Sequence, residues 1–256
     1  MRVFKYLSVF SYAILITACS NKQPSNSDII ELPKKAPKFA DFSDVNEKKK
    51  AFFHYMFAFV VHANLDIKKE REFILAIEFD EKSLNKKQKK QLTAICEKYS
   101  NTCEDLYRAD LKVELLNEVN YVPAGLALAQ SANESSWGTS RFSKKGNNYF
   151  GQWCYQKGCG IVPNSRNEDA NHEVRKFEST LDSVVGYMFN INTHSAYADL
   201  REKREQLKGN QLDSNLLAQG LIRYSERGEE YVDEIQSMIR INKLTEYDQR
   251  LMEYLK

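Results

Sequence analysis

The chain has 256 residues, of which 42% are hydrophobic and 28% are charged, with a formal net charge of +2. This length suits one large domain or a medium domain with a small partner, and the composition is typical of a folded globular protein rather than a disordered one. The near-neutral charge argues against nucleic acid as the main partner, because such proteins carry a strongly basic surface.

The N-terminus has the pattern of a bacterial export signal. Two basic residues precede an apolar stretch at residues 6–16, which is too short to span a bilayer as a helix. The stretch ends in the letters ITAC, which resemble a lipobox, so we expect a lipoprotein signal at residues 1–18 and a lipid on Cys19. In the lipoproteins that this resembles, a residue other than Asp at the next position, here Ser20, permits export to the outer membrane and implies a lipid-anchored protein on its periplasmic face. A plain secretory signal with a coincidental cysteine is the alternative.

A polar segment and a helical region follow the signal. Residues 19–45 contain three prolines and no hydrophobic period, which predicts a tether. Helical spacing then begins, and we assign residues 46–110 to an N-terminal helical subdomain. Its apolar stretch Ala51–Val61 is too short for a membrane span and is predicted to be a core helix, with further helical segments at Glu70–Phe79 and Leu84–Tyr99. The lysines of the last segment favour a solvated helix face; a contact with a phosphate-rich partner is the alternative.

The four cysteines that remain form two near pairs, Cys96 with Cys103 and Cys154 with Cys159. An export signal implies an oxidising compartment, where near pairs commonly form disulfides. The alternative is a zinc site built from Cys154, Cys159 and His172, although the cysteine spacing does not match the common zinc motifs.

The remainder of the chain, residues 111–256, is predicted to be one α+β domain that is mainly helical. An amphipathic helix is predicted across its start, at Asp105–Val119, and a second helix carries Glu134. Strands of a small sheet are predicted at Gln152–Tyr155, Gly160–Pro163 and His172–Phe177. Four more helices are predicted at residues 180–194, 198–208, 213–223 and 229–250, the first with capping-box spacing between Ser179 and Asp182.

Glu134 stands near the end of a helix built mostly from small residues. Pro123 fits the start of this helix and Gly138 its end. A carboxylate at the C-terminal end faces the negative end of the helix dipole, so it is poorly placed for stability. An exposed surface glutamate is the alternative.

Four sequence motifs occur in order around and after Glu134. They are ALAQSANESSWG, GNNYFGQWC, GCGIVP and HEVRKF, and the last three are Gly146–Cys154, Gly158–Pro163 and His172–Phe177. Together they resemble the glucosaminidase family, of the mannosyl-glycoprotein endo-β-N-acetylglucosaminidase type, and within it the Bax-like branch. The resemblance runs from about residue 111 to residue 240. It implies a lysozyme-like fold with a small β-lobe, a cleft between the lobes and cleavage of the peptidoglycan glycan.

Glycoside cleavage needs an acid that protonates the departing oxygen and a group that stabilises or captures the cation-like sugar ring. We predict that Glu134 is the acid, because burial against apolar groups raises the pKa of a carboxyl group. The resemblance assigns the same role to the glutamate of the family's A-x-E-S-x-W-G motif. It also implies that Tyr224 reaches into the cleft opposite the acid, where a phenol steadies the cation-like ring; a core tyrosine is the alternative.

The second carboxylate of the family has no convincing counterpart in this chain. Glu168 in the presumed hairpin turn is our choice, ahead of Glu173 and Glu178, and a surface charge is the alternative for all three. Alternatively, the N-acetyl group of the substrate replaces the second carboxylate.

Amides and aromatic rings after Glu134 are candidates for sugar binding, since amides pair with hydroxyl and acetamido groups and rings stack on sugar faces. Trp137 favours a core or wall position over a stacking platform, and Asn147 and Asn148 are equally well explained as turn residues. The predicted substrate-binding residues are Trp137, Asn147, Asn148, Tyr149, Phe150, Gln152 and Trp153.

The sequence therefore predicts a monomeric, lipid-anchored endo-β-N-acetylglucosaminidase that acts on peptidoglycan without metal or cofactor. Two alternatives stay open. One is a muramidase or lytic transglycosylase that cuts the other glycan bond. The other is a non-catalytic peptidoglycan-binding lipoprotein, which the missing second carboxylate suggests.

Overall fold

A computed structural model describes residues 30–99, 103–164, 166, 170–207 and 211–256. The predicted export signal, Cys19, Glu168 and the first part of the predicted tether, residues 19–29, lie outside the described residues.

Ten α-helices and three short strands make up the described part of the chain. The helices are α1 (Val45–Ala76), α2 (Lys86–Tyr99), α3 (Leu111–Glu118), α4 (Ala124–Glu134), α5 (Arg141–Gly146), α6 (Thr180–Thr193), α7 (Ala198–Glu205), α8 (Ser214–Ala218), α9 (Glu229–Ile241) and α10 (Thr245–Leu255). The strands are β1 (Trp153–Cys154), β2 (Gly160–Ile161) and β3 (Glu173–Arg175). The predicted fold class, mainly helical α+β with a small β-lobe, is confirmed.

Helix α1 is the central element of the core. Asp44 caps its N-terminus by accepting a hydrogen bond from the Glu47 N–H at 2.8 Å, and the helix then runs unbroken for 32 residues. Its apolar segment, Phe52–Val61, is almost wholly buried, and α1 packs against α3, α4, α6 and α10. One hydrophobic cluster therefore runs through the helical region and the C-terminal region alike. In the described ranges, no helix is both long enough and apolar enough to cross a bilayer.

The β-lobe is an antiparallel sheet with strand order β1-β3-β2, and its strands are shorter than predicted. The register pairs Trp153 with Val174, Cys154 with Glu173, Gly160 with Arg175, and Ile161 with Val174. The loop between β1 and β2 is fixed by the buried carboxylate of Glu173, which accepts hydrogen bonds from the backbone N–H groups of Gly158 (2.9 Å) and Gly160 (2.8 Å). These bonds hold the pKa of Glu173 below its usual value.

Both predicted disulfides are present. Cys96 in α2 bonds to Cys103 in the following loop, and Cys154 in β1 bonds to Cys159 just before β2. The alternative zinc site with His172 is wrong, because the sulfurs of Cys154 and Cys159 are joined to each other.

Two helix boundaries show how local chemistry shapes the C-terminal region. The predicted capping box at the start of α6 is confirmed, with Ser179 Oγ bound by the Asp182 N–H (3.1 Å) and Asp182 Oδ2 bound by the Ser179 N–H (3.0 Å). The single helix predicted at residues 229–250 is instead two helices. Lys243 adopts a left-handed conformation, and the Leu244 N–H returns to the Ile239 carbonyl at 2.9 Å, which is a Schellman ending for α9.

Candidate active site

Glu134 is the last residue of α4, and its side chain is half-buried. The carboxylate Oε1 accepts a hydrogen bond from the Tyr231 hydroxyl at 2.8 Å. The other oxygen, Oε2, lies beside Gly151, where an added Cβ would come within 3.3 Å of it. The acid therefore has one oxygen held by α9 and one oxygen beside the loop that leads to β1.

A tight turn follows the acid and ends α4 four residues before the predicted stop at Gly138. Ser136, Trp137 and Gly138 all have positive φ angles, of 50°, 59° and 72°. Two backbone bonds of Schellman type close the helix, and Ser135 Oγ supports the turn by donating to the Ser131 carbonyl (2.6 Å) and accepting from the Gly138 N–H (2.8 Å). Consecutive left-handed residues are costly, and such strain is concentrated at functional sites.

The segment that precedes α1 packs against this turn. A Cβ at Gly138 would lie only 2.4 Å from the Phe39 ring, so only glycine fits there. Phe39 is buried and packs edge-on against Phe52 of α1, with ring centroids 5.3 Å apart. The N-terminal region thus fixes the backbone immediately after the acid.

A chain of hydrogen bonds runs through the core and ends on the acid. The Tyr187 hydroxyl donates to Gln130 Oε1 at 2.6 Å, Gln130 Nε2 contacts the Tyr231 hydroxyl at 3.0 Å, and Tyr231 donates to Glu134. Gln130, Tyr187 and Tyr231 are at most 1% exposed. Burial raises the pKa of both phenols well above its usual value, so they remain neutral.

Stacked aromatic rings enclose this chain. Phe150 stacks on Tyr187 with centroids 4.0 Å apart, and Tyr224 stacks on Tyr231 at 5.3 Å. The Tyr224 hydroxyl donates to the Phe150 carbonyl at 2.9 Å, which ties α9 and the preceding turn to the loop after α5. Tyr224 and Phe150, both predicted from the sequence, are therefore brought together with Glu134.

Burial raises the pKa of the Glu134 carboxyl group above its ordinary value. The hydrogen bond from Tyr231 and the positive charge of Arg227 oppose this rise, while the negative charge of Glu234 adds to it. Arg227 and Glu234 form an ion pair close to the acid, and the Arg227 guanidinium lies over the Tyr231 ring at 5.6 Å. The desolvation that favours the protonated form is the property required of a general acid.

Trp137 and Tyr149 pack against α1. The Trp137 ring lies 5.7 Å from that of Phe52 and 5.2 Å from that of Phe53. Tyr149 is buried, with its ring 6.3 Å from Phe52 and 6.1 Å from Tyr55. These contacts agree with a wall role for Trp137 and give no support to sugar stacking by Tyr149.

The two adjacent asparagines shape the loop. Asn147 adopts the left-handed conformation at the end of α5, and its Nδ2 donates to the carbonyls of Phe177 (3.0 Å) and Glu178 (3.1 Å). The amide of Asn148 is buried and makes four bonds to backbone groups, two of them to Gln152. Four bonds saturate an amide side chain, so the geometry favours the turn role for Asn148.

Gln152 and Trp153 retain accessible surface. Gln152 is half-buried, and its amide lies against Gly186 of α6. Trp153 is 54% exposed and stacks on His172 with ring centroids 4.1 Å apart. A cavity of about 320 Å³ borders this stacked pair, with Phe142 and Val174 also in its lining. Trp153 is therefore the most exposed of the predicted substrate-binding residues and the one that borders this cavity.

The second carboxylate is not identified among the described residues. Glu173 is buried and binds the backbone of the β-lobe, so it is not the surface charge that the sequence favours. Glu178 is exposed. Glu234 on α9 influences the Glu134 carboxyl group but is paired with Arg227.

Sequence reasoning missed Gln130, Tyr187 and Tyr231 as parts of the site. One signal for Gln130 was present: it precedes Glu134 by four residues in a helix of mainly Ala and Leu, so both polar side chains lie on one face. The two tyrosines lie far away in the chain and carried no comparable signal.

Comparison with known proteins is consistent with this arrangement. The family profile of the glucosaminidases, described as mannosyl-glycoprotein endo-beta-N-acetylglucosaminidase, matches residues 109–244, more than half of the chain. Protein bax of Escherichia coli (strain K12) is 26% identical over 211 residues, which cover 81% of this chain and 74% of that relative. No solved structure matches the chain.

Proposed function

Since the chain belongs to the glucosaminidase family, we propose that it is a peptidoglycan hydrolase with endo-β-N-acetylglucosaminidase activity. It cleaves the β-1,4 bond between N-acetylglucosamine and N-acetylmuramic acid. Glu134 is its general acid. A lipid on Cys19 holds the enzyme on the periplasmic face of the outer membrane, within reach of the glycan.

The proposal rests above all on the surroundings of Glu134. At neutral pH an ordinary glutamate is ionised and has no proton to donate. Here burial raises the pKa of the carboxyl group while the Tyr231 hydroxyl holds one of its oxygens. This environment favours the protonated form of the carboxyl group, which is the form that can give its proton to the leaving oxygen of the sugar.

Tyr224 has a role beside the acid in this proposal. A phenol has one hydrogen and two acceptor positions, and the hydrogen of Tyr224 is used in the bond to the Phe150 carbonyl. Its oxygen is therefore an acceptor, suited to a sugar hydroxyl or to the positive charge that develops on the ring.

The remaining step has two candidate routes. In one, Glu168 activates water or captures the ring. In the other, the N-acetyl group of the substrate attacks the ring carbon, and no second carboxylate is needed. A lytic transglycosylase likewise needs no activated water, so a missing second carboxylate does not distinguish it from a hydrolase. The experiment must therefore identify both the glycan bond that is cut and the chemical form of the new chain end.

The test is digestion of purified sacculi by the wild-type protein and by Glu134→Gln. We expect the variant to lose at least about a thousandfold in rate, because its amide has no proton to donate to the leaving oxygen. Glu202→Gln on the exposed face of α7 makes the same chemical change away from the site and should digest like wild type. Mass spectrometry of the fragments identifies the new reducing end.

Each alternative function has its own outcome. N-acetylmuramic acid or its anhydro form at the new chain end would replace the proposed activity by that of a muramidase or a lytic transglycosylase. Equal digestion by Glu134→Gln and wild type would remove Glu134 from the mechanism. If the wild type co-sediments with sacculi but releases no fragments, the alternative of a non-catalytic peptidoglycan-binding lipoprotein is favoured.

A further inference from the structure

Gln130 is a buried polar residue that ordinary packing does not explain. It lies one helical turn before Glu134, and its side chain is fully buried. Both ends of its amide are bound, the oxygen by the Tyr187 hydroxyl at 2.6 Å and the nitrogen by the Tyr231 oxygen at 3.0 Å. A buried amide of this kind is retained only if its hydrogen bonds are worth more than an apolar side chain in its place.

The direction of each hydrogen bond follows from the donors and acceptors. The amide nitrogen has hydrogens and no free lone pair, so Tyr231 cannot donate to it. The one hydrogen of Tyr231 is therefore available for Glu134 Oε1, which lies 2.8 Å away. Tyr187 in turn donates to the amide oxygen and keeps the nitrogen turned toward Tyr231.

From this geometry we infer, on the basis of the function proposed above, that Gln130 is a positioning residue that assigns the acid's proton to one oxygen of Glu134. Because Oε1 always accepts from Tyr231, the proton of the neutral acid resides on Oε2, the oxygen beside Gly151. If the amide of Gln130 were reversed, its oxygen would accept the Tyr231 hydrogen. The Tyr231 oxygen and Glu134 Oε1 would then face each other without that hydrogen between them.

This assignment fits the chemistry of bond cleavage. The proton on Oε2 passes to the glycosidic oxygen, which also takes the electron pair of the breaking C–O bond. Glu134 is left as a carboxylate, and the Tyr231 hydroxyl already donates to its Oε1. We call the hydrogen-bond chain from Tyr187 through Gln130 and Tyr231 to Glu134 the relay. The relay that selects the proton-bearing oxygen thus also stabilises the anion that the step creates.

Several groups act on the Glu134 carboxyl group besides the relay. Arg227, in the turn before α9, and Glu234 on α9 lie close to it, and Tyr197 and Tyr224 also interact with it. Burial keeps the tyrosines neutral, and Arg227 keeps its positive charge. Among these groups, Glu234 is the other carboxylate, so the measurement must resolve Glu134 itself.

We would test the relay by titrating Glu134 directly, with glutamate labelled at the carboxyl carbon and the resonance identified by its absence in Glu134→Gln. Gln130→Met removes the amide and nearly preserves the volume. Without the amide nitrogen, the Tyr231 hydroxyl loses the donor that polarises it and makes a weaker hydrogen bond to the Glu134 carboxylate, so the pKa of Glu134 should rise by about half a pH unit. Tyr187→Phe keeps the ring stack and should move the pKa less far in the same direction.

The control is Gln236→Met, which removes an amide that binds the Asn215 carbonyl elsewhere on α9. A structural role for Gln130 would lower the melting temperature of both methionine variants and leave the titration of Glu134 unchanged. An unchanged titration in Gln130→Met and in Tyr187→Phe would overturn the relay. A shift in a protein that digests no peptidoglycan would support the relay and contradict the proposed function, so the two failures are distinguishable.

Discussion

Burial raises the pKa of Glu134 in the folded protein above its value in the unfolded chain. Its contribution to stability is therefore fully present below the unfolded-state pKa and is lost as pH rises through the folded-state pKa. At neutral pH this residue opposes folding, and the hydrogen bond from Tyr231 offsets part of the cost. On the proposed function, the role of general acid explains why such a residue is kept where an apolar one would be more stable.

Adding one methyl group at Gly151 tests the space beside the Glu134 carboxyl group. Its φ is +65°, and a Cβ there would lie 3.3 Å from Glu134 Oε2. Gly151→Ala should cost about 1 kcal/mol of stability from backbone strain and should also reduce the digestion of sacculi at least about tenfold, because the methyl group crowds the reacting oxygen. Digestion rate and thermal unfolding are the measurements.

The matched control is Gly158→Ala. Gly158 has a similar left-handed backbone, with φ +84°, but nothing lies within 4 Å of its added Cβ. It should show the same loss of stability and retain activity. Equal digestion by the two variants would mean that the Gly151 backbone is not beside the oxygen that reacts.

At this scale the sequence singled out Glu134 as the candidate acid but did not predict its environment. Glu134 was found because its motif is contiguous in the chain. Tyr231 and Tyr187 lie 97 and 57 residues away from the partners they bind, and no local pattern encodes such a contact. Asn148 could be assigned either to the sugar or to the turn, and only the folded loop shows that the backbone uses its amide completely.

The connection between α3 and α4 is held at the scale of secondary-structure elements by side chains from other helices. Such segments leave backbone carbonyls without partners, and burial makes each unpaired carbonyl costly. Here Arg71 binds the carbonyls of Leu116 and Val119, Arg204 binds those of Asn117 and Tyr121, Asn192 binds that of Asn120, and Asn64 binds that of Val122. Helix α4 and its acid are thereby fixed from α1, α6 and α7.

Arg204→Met tests this connection. Arg204 is 5% exposed, and its guanidinium donates to two backbone carbonyls and to Asn192 Oδ1. Its removal should lower the free energy of unfolding by about 2–4 kcal/mol, because the carbonyls remain buried without donors. Urea unfolding measures the effect. Arg223→Met, at an exposed arginine, should change stability by less than about 0.5 kcal/mol, and a similarly small effect at Arg204 would contradict the proposed role.

Sequence patterns predicted elements well where the chemistry was local. The capping box at Ser179 and Asp182 placed the start of α6 correctly. The break between α9 and α10 was missed because a lysine, Lys243, takes the left-handed position where glycine is the usual signal. The strands were overestimated because the loop between β1 and β2 is held by a disulfide and by Glu173 rather than by longer ladders.

At the scale of the whole molecule, the contacts of helix α1 bear on the division of the chain into domains. The sequence predicts a boundary between residues 110 and 111, because the resemblance to the glucosaminidase family begins at about residue 111. Yet α1 packs on α4, α6 and α10, and Phe52 alone contacts the aromatic rings of both Trp137 and Tyr149. Amphipathic spacing reveals that a helix is buried but not which elements cover it, so a continuous core across this boundary was beyond local patterns.

We therefore expect the fragment of residues 111–256 not to fold by itself. It lacks the buried aromatic side chains of α1, which are Phe52, Phe53, Tyr55, Phe57 and Phe59. Their burial contributes about 2 kcal/mol each, about 10 kcal/mol together, which equals the whole stability of a typical domain at about 5–15 kcal/mol. Circular dichroism during urea titration should show a cooperative transition for residues 30–256 and none for residues 111–256. A cooperative transition with the same midpoint in the shorter fragment would support the predicted boundary and make α1 a separate layer on an independently folding domain.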